Sequence, residues 1–189
     1  MKRRAELEAQ TKQRITESAV ALHGSLGPAR TTMKAVAEHA GVPRSTVYRH
    51  FADEEALFGA CSAHWAMENP PPDVTRWQQI ADPEDRLAVA LDEMYAYYRQ
   101  AGDMLDKLLR DEGTVPMVAK LFAPYHQLME MITEILMRGR APRGRARART
   151  RAAVAHAISF RTWQQLTEEA GLSDTEAADL MRRLVAAAA

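Results

Sequence analysis

The segment Thr31-Thr32-Met33-Lys34-Ala35-Val36-Ala37-Glu38-His39-Ala40-Gly41-Val42-Pro43-Arg44-Ser45-Thr46-Val47-Tyr48-Arg49-His50-Phe51 limits what this chain can fold into more than any other. It reads as two short helices around a tight glycine turn. Thr32 is placed to cap a helix over residues 33–40, and Gly41 supplies the turn. Pro43 suits the first position of a second helix, where its missing N–H is not needed. Phe51 ends that helix.

The surrounding sequence favours helix throughout. Aromatics are 6% of the chain and apolar residues 47%, with Ala, Leu, Met, Glu and Arg in abundance. At 189 residues the chain can bury a core, as one domain or two small ones. A single cysteine excludes an internal disulfide and suits a reducing compartment. The basic start Lys2-Arg3-Arg4 is followed by Glu6 and Glu8, with no apolar stretch of signal-peptide type. No apolar run approaches the ~18 residues of a membrane helix. A cytoplasmic location is expected.

An apolar stripe of Ile15, Ala19 and Leu22 predicts a first helix over about 5–23, ended by Gly24, Gly27 and Pro28. Asp53 caps a helix in which Leu57, Cys61 and His64 share a face. Asn69-Pro70-Pro71-Pro72 is the clearest break, and we expect a domain boundary there, dividing the chain into 1–66 and 67–189. Beyond it, Asp82-Pro83-Glu84-Asp85 opens a helix with Leu87, Leu91, Met94, Tyr95 and Tyr98 on one face. Gly102 is expected to break it, leaving a short helix over 103–111. A long helix over 116–137, bent at Pro124, and a loop over 139–144 follow. One helix over 150–170 and a last one opened by the capping box Ser173-Asp174-Thr175-Glu176 complete the chain. The expected fold is all-α: an N-terminal helix-turn-helix domain and a C-terminal helical bundle.

Charge placement matters more than its sum, which is zero. Residues 1–66 carry nine Lys/Arg against seven Asp/Glu, and the remainder sixteen against eighteen. At ~100° per residue, Val47 and Phe51 point inward together. Ser45 and Arg49 then point outward, Thr46 and Tyr48 lie on the flanks, and Arg44 sits in the exposed first turn. A reader of the major groove needs that arrangement. Arg44 is suited to a bidentate contact with a guanine edge. Thr31, Thr32 and Lys34 stand where free backbone N–H groups would meet a phosphate.

This segment resembles the TetR family of transcriptional regulators. The resemblance covers about Ile15 to His64 and rests on Thr31-Thr32-Met33, Ala37-Glu38-His39-Ala40-Gly41-Val42, Thr46-Val47-Tyr48-Arg49-His50-Phe51 and Glu55-Ala56-Leu57. It implies base contacts from Arg44, Ser45 and Tyr48, and phosphate contacts from Thr32, Thr46, Tyr48 and His50. It also implies a C-terminal ligand-binding domain whose last two helices pair across a two-fold axis, so that a dimer meets a near-palindromic operator. Two positions depart from the pattern. Glu54 stands where the family often has a phosphate-binding Lys, and Pro43 where a capping Ser is frequent.

The apolar stripes agree with the pairing: Ala177, Leu180, Met181, Leu184 and Val185 in the last helix, and Val154, Ile158, Phe160, Trp163 and Leu166 before it. Met94, Tyr95, Tyr98, Phe122, Tyr125, His126, Met129 and Trp163 could line an effector pocket or simply fill the core. Asp92, Asp106, Glu130 and Glu134 would favour a cationic ligand only if they faced inward, and solvated helix faces are their simpler reading. Seven arginines between 138 and 151 read as a solvated link between helices, with an accessory phosphate-binding arm as the alternative. Cys61 on an apolar face reads as a structural thiol. No motif for an enzyme, a metal or a cofactor is present. The expected function is a ligand-responsive DNA-binding repressor. The alternatives are a small-molecule or redox-sensing module with a degenerate DNA head, and an activator.

Overall fold

In the computed structural model, which describes residues 2–189, the regular elements are helical. In chain order they are α1 (Lys2–Ser25), α2 (Met33–His39), α3 (Arg44–His50), α4 (Glu54–Glu68), α5 (Val74–Trp77) and α6 (Pro83–Asp111). Then come α7 (Pro116–Met137), α8 (Gly144–Ala157), α9 (Phe160–Gln164) and α10 (Asp174–Ala187). A 3₁₀ turn at Pro28–Arg30 precedes α2, and a π-helical turn at Gln165–Glu169 follows α9. The all-α expectation holds among the described residues. No helix is long and apolar enough to cross a membrane among them.

The chain divides into two compact units. One gathers the residues up to Pro70 with 103–122, the other 71–102 with 123–189. In the first, Ile15 and Ala19 of α1 are fully buried with Val36 of α2 and Val47 of α3. Phe51, Leu57, Phe58 and Cys61 join them, and Met104, Leu108 and Val118 complete the same core. The end of α6 and the start of α7 therefore finish the core that holds α2 and α3.

A polar clamp fixes the entry to α2. Asp111 Oδ2 accepts from Ala29 N at 2.9 Å, and Arg110 Nη2 donates to Leu26 O at 3.0 Å. Arg110 Nε holds Asp111 Oδ1 at 2.8 Å. Gly27 runs between them at φ +91°, and a Cβ there would stand inside contact distance of Arg110 Nη2 and Asp111 Oδ2. Its backbone disfavours a side chain, and a Cβ would also push aside the ends of the Arg110 and Asp111 side chains.

In the second unit, Asp82 Oδ1 caps α6 by accepting from Glu84 N at 2.8 Å and Asp85 N at 2.9 Å. Arg86, 4% exposed, gathers four carbonyls. Its guanidinium donates to Ile80 O, Ala81 O, Ile135 O and Arg138 O at 2.8–3.0 Å. One side chain thus serves both the loop before α6 and the last turn of α7.

Three helix boundaries differ from expectation. α6 runs straight through Gly102, which does not break it. The missing side chain instead lets Trp163 and Phe160 come within 3.5–3.7 Å of where a Cβ would stand. The single helix expected over 150–170 stops at Ala157 and restarts at Phe160, after Ser159 turns extended at ψ 134°. Two buried phenols stabilise the break: Tyr95 Oη donates to Ala157 O at 2.8 Å and Tyr98 Oη to Ile158 O at 2.6 Å. α8 also begins earlier, at Gly144, so Arg145, Arg147 and Arg149 are helical rather than loop. Three of the seven arginines are bound within this unit: Arg138 to Gln78, Arg140 to Glu84 and Pro83 O, and Arg151 to Glu130 and Glu134. α7 continues through Pro124.

Replacing Gly27 with Ala should lower stability by at least about 1 kcal/mol, from the positive φ alone and more from the clash. Arg86→Met should cost on the order of 3–5 kcal/mol, because carbonyls lose a buried charged donor. Urea unfolding midpoints of the two variants measure both.

Candidate nucleic-acid interface

The geometry of α2 and α3 follows from caps at three of their four ends. Thr32 Oγ1 accepts from Ala35 N at 3.1 Å, as its position predicts. At the other end of α2, Gly41 takes φ +62°. Val42 N then reaches Ala37 O at 3.0 Å and Gly41 N reaches Glu38 O at 3.1 Å, the paired bonds of a Schellman turn. Pro43 precedes α3 at φ −58° and brings no capping side chain. Phe51 N closes α3 on Val47 O at 2.9 Å.

Those caps fix which face of α3 is free. Val47 is fully buried and Phe51 is 3% exposed, while Arg44, Ser45, Tyr48 and Arg49 are exposed. Thr46 and His50 are half-buried. Arg44 lies over the Tyr48 ring, 5.3 Å from its centroid, and its Nη2 donates to Tyr48 Oη at 3.0 Å. The cation is therefore held one turn along the helix face rather than left to sweep through solvent.

The residues at the start of α2 have separate tasks. Thr31 Oγ1 donates to Gly27 O at 2.9 Å, so its proton is committed to the turn before the helix. Thr32 uses its oxygen as the cap acceptor and keeps a proton to donate outward. Lys34 Nζ lies 3.7 Å from Glu38, both side chains well exposed, a pair weak enough to exchange for a stronger anion. Lys12 was not anticipated from the sequence. It places its ammonium 5.6 Å from the centroid of Phe51, adding a cation beside the end of α3. The signal was its place one turn before Ile15 on a helix whose partners are not written in sequence order.

The second expected cluster is only partly a cluster. Met94, Tyr95, Tyr98 and Trp163 are buried together in the second unit. The Tyr98 ring stands 5.4 Å from Phe160 and 5.9 Å from Trp163 between centroids, and Trp163 Nε1 donates to Asp174 at 3.1 Å. Tyr125 and Met129 are half-buried and His126 is exposed, with its ring 5.6 Å from that of Tyr125. Burial pushes the Tyr95 hydroxyl above its ordinary range, so it stays a neutral donor. Phe122 packs against the core of the first unit instead. Cys61 is 2% exposed and donates to Phe58 O at 3.2 Å, and burial pushes its thiol up to about 12. No thiolate forms at neutral pH, so it lacks the reactivity a redox sensor needs.

Comparison with known proteins agrees with the motif. Residues 15–61 match the family described as bacterial regulatory proteins, tetR family. Compared by sequence with curated proteins, the chain has no significant match. The fold is similar to that of a Mesorhizobium loti protein assigned to the TetR-family transcriptional regulators, with 20% identity, a TM-score of 0.62 and 96% of each chain covered. It is also similar to a TetR transcription regulator from Haloarcula marismortui, at 14% identity and a TM-score of 0.58, covering 96% of this chain and 97% of that one. A third similar structure is the multidrug binding protein EbrR complexed with imidazole, at 21% identity and a TM-score of 0.58, covering 93% and 89%. The family match thus falls on the segment built around the capped, outward-facing α3, and the fold is shared with solved structures of TetR-type regulators.

Proposed function

We propose that the protein is a ligand-responsive transcriptional repressor that binds a palindromic operator as a homodimer. The observation that carries the reading is the exposed face of α3, where Arg44 is stacked and hydrogen-bonded on Tyr48 within the family-matched segment. Arg44, Ser45 and Tyr48 read base edges. Thr31, Thr32, Lys34, Thr46, Arg49 and His50 position the backbone of the duplex, Thr31 through its peptide rather than its committed hydroxyl. Residues 1–66 act as the DNA-binding part and 67–189 as the part that senses ligand and dimerises.

Dimerisation is assigned to α8 and α10. On α10, Ala177, Met181 and Val185 turn inward, while Leu180 and Leu184 remain 43% and 41% exposed one turn apart. Two leucines at that spacing form the stripe a partner helix covers. A two-fold pair sets the recognition helices roughly 34–36 Å apart, hence the palindrome. The effector site is assigned to the second unit around Tyr125, His126 and Met129, next to the buried Met94, Tyr95, Tyr98 and Trp163. A protein of similar fold is a multidrug binding protein complexed with imidazole, which supports a small-molecule effector. A ~100-fold loss of operator affinity needs about 2.7 kcal/mol of differential effector binding between the two states.

Gel shifts with the chain's own upstream DNA, at fixed salt, test the reading. Arg44→Ala should weaken operator binding by about 1–3 kcal/mol and relax base preference, whereas Lys34→Ala should weaken all sequences alike and lower the salt slope by about 1. An Arg44→Ala protein that binds as tightly and as selectively as the parent overturns the assignment. Leu184→Lys should give a monomer in sedimentation and lose high-affinity operator binding. A Leu184→Lys protein that stays dimeric moves the interface elsewhere.

A further inference from the structure

The first unit contains a cavity of about 230 Å³ beneath the start of α2. Met33, Val36, Leu57 and Phe58 form apolar wall, and His23 is the buried polar group on it, 6% exposed. Glu54 also lines it, exposed to solvent.

The protonation of His23 follows from its neighbours. Its Nδ1 lies 3.2 Å from Cys61 Sγ, and Sγ gives its one proton to Phe58 O at 3.2 Å. For the Nδ1–Sγ contact to be a hydrogen bond, Nδ1 must carry the proton and donate. Nε2 is then a bare acceptor, and no partner for it exists among the described residues. Burial, only partly opposed by the Asp111 charge, lowers the imidazole from 6.5 to about 4, which keeps it neutral at pH 7. An unpaired acceptor on a largely apolar wall is costly unless something donates to it.

We propose that this cavity binds a small, neutral aromatic molecule carrying one ring N–H or O–H, which donates to His23 Nε2. The size fits: an apolar cavity of about 150 Å³ takes benzene, so about 230 Å³ has room for a fused bicycle. The Glu54 carboxylate at the cavity disfavours an anion. Thr31 and Thr32 share the wall, so the bound molecule touches the cap of α2. This site lies within the first unit and does not depend on the effector site assigned above.

Indole and indene test it, since they share a shape and only indole carries an N–H. The full-length protein, labelled at its methionine methyls, is titrated with each. Indole should shift the Met33 and Met117 methyls and bind about tenfold tighter than indene, the ~1.4 kcal/mol of one hydrogen bond. His23→Phe should abolish that difference between the two probes. If His23→Phe fails to fold, the parent carries the test: the His23 Nε2 nitrogen resonance should move with indole and not with indene. The proposal is overturned if the two probes bind equally, if Nε2 does not respond, or if shifts are confined to methionines of the second unit.

Discussion

Every helix ends with amides or carbonyls that its own ladder cannot serve, and this molecule is organised around how those groups are satisfied. A chain of short helices has many such ends relative to its core. Arg86 alone serves four carbonyls from the loop before α6 and the end of α7. Tyr95 and Tyr98 serve the two carbonyls released where α8 stops. Asp111 serves Ala29 N in the turn that leads into α2. In each case a buried side chain outside the helix end it serves bonds a backbone group that would otherwise lose its water without replacement.

The same division separates what could be read in the sequence from what could not. Thr32, Asp53 and Ser173 announce their helices because each cap is local, a side chain bonding an amide two or three residues on. The Gly41 turn is equally local, and so the recognition segment was legible almost to the residue. Gly102 misled because a glycine has two uses, breaking a helix and admitting a neighbour, and only the neighbours distinguish them. Trp163 and Phe160 lie some sixty residues away in sequence. The break at Ile158–Ser159 was hidden for the same reason: β-branched and apolar residues give no stop signal, and the hydroxyls that stabilise the break sit on α6.

Charge on α3 is arranged rather than abundant. The whole chain is neutral, so a uniform field cannot draw it to a polyanion. What remains is placement: Arg44 held by Tyr48, Lys12 held over Phe51, and Lys34 in a loose exposed pair. Holding Arg44 against a ring reduces the side-chain entropy lost on docking, which under the proposed function helps a base-selecting contact. Lys34, left mobile, suits a phosphate that needs only a nearby charge. Glu54 works against any phosphate at its own position, so the proposed DNA affinity would come from fewer, better-held cations.

The hydroxyl commitments also constrain what the second unit could recognise. Tyr95 and Tyr98 look in sequence like ligand-facing phenols, yet both protons are used on the chain's own backbone. Withdrawing either to bind a ligand would leave a buried carbonyl unpaired, at about 1–3 kcal/mol. A ligand therefore gains little polar selectivity from them, and the nearest soft group is the thioether of Met129, which lies 3.9 Å from Tyr98 Oη. Surfaces of that kind select by shape and polarisability, and methionine adapts to several shapes. For the proposed effector site, such packing would favour breadth toward apolar molecules over tight discrimination of one polar metabolite.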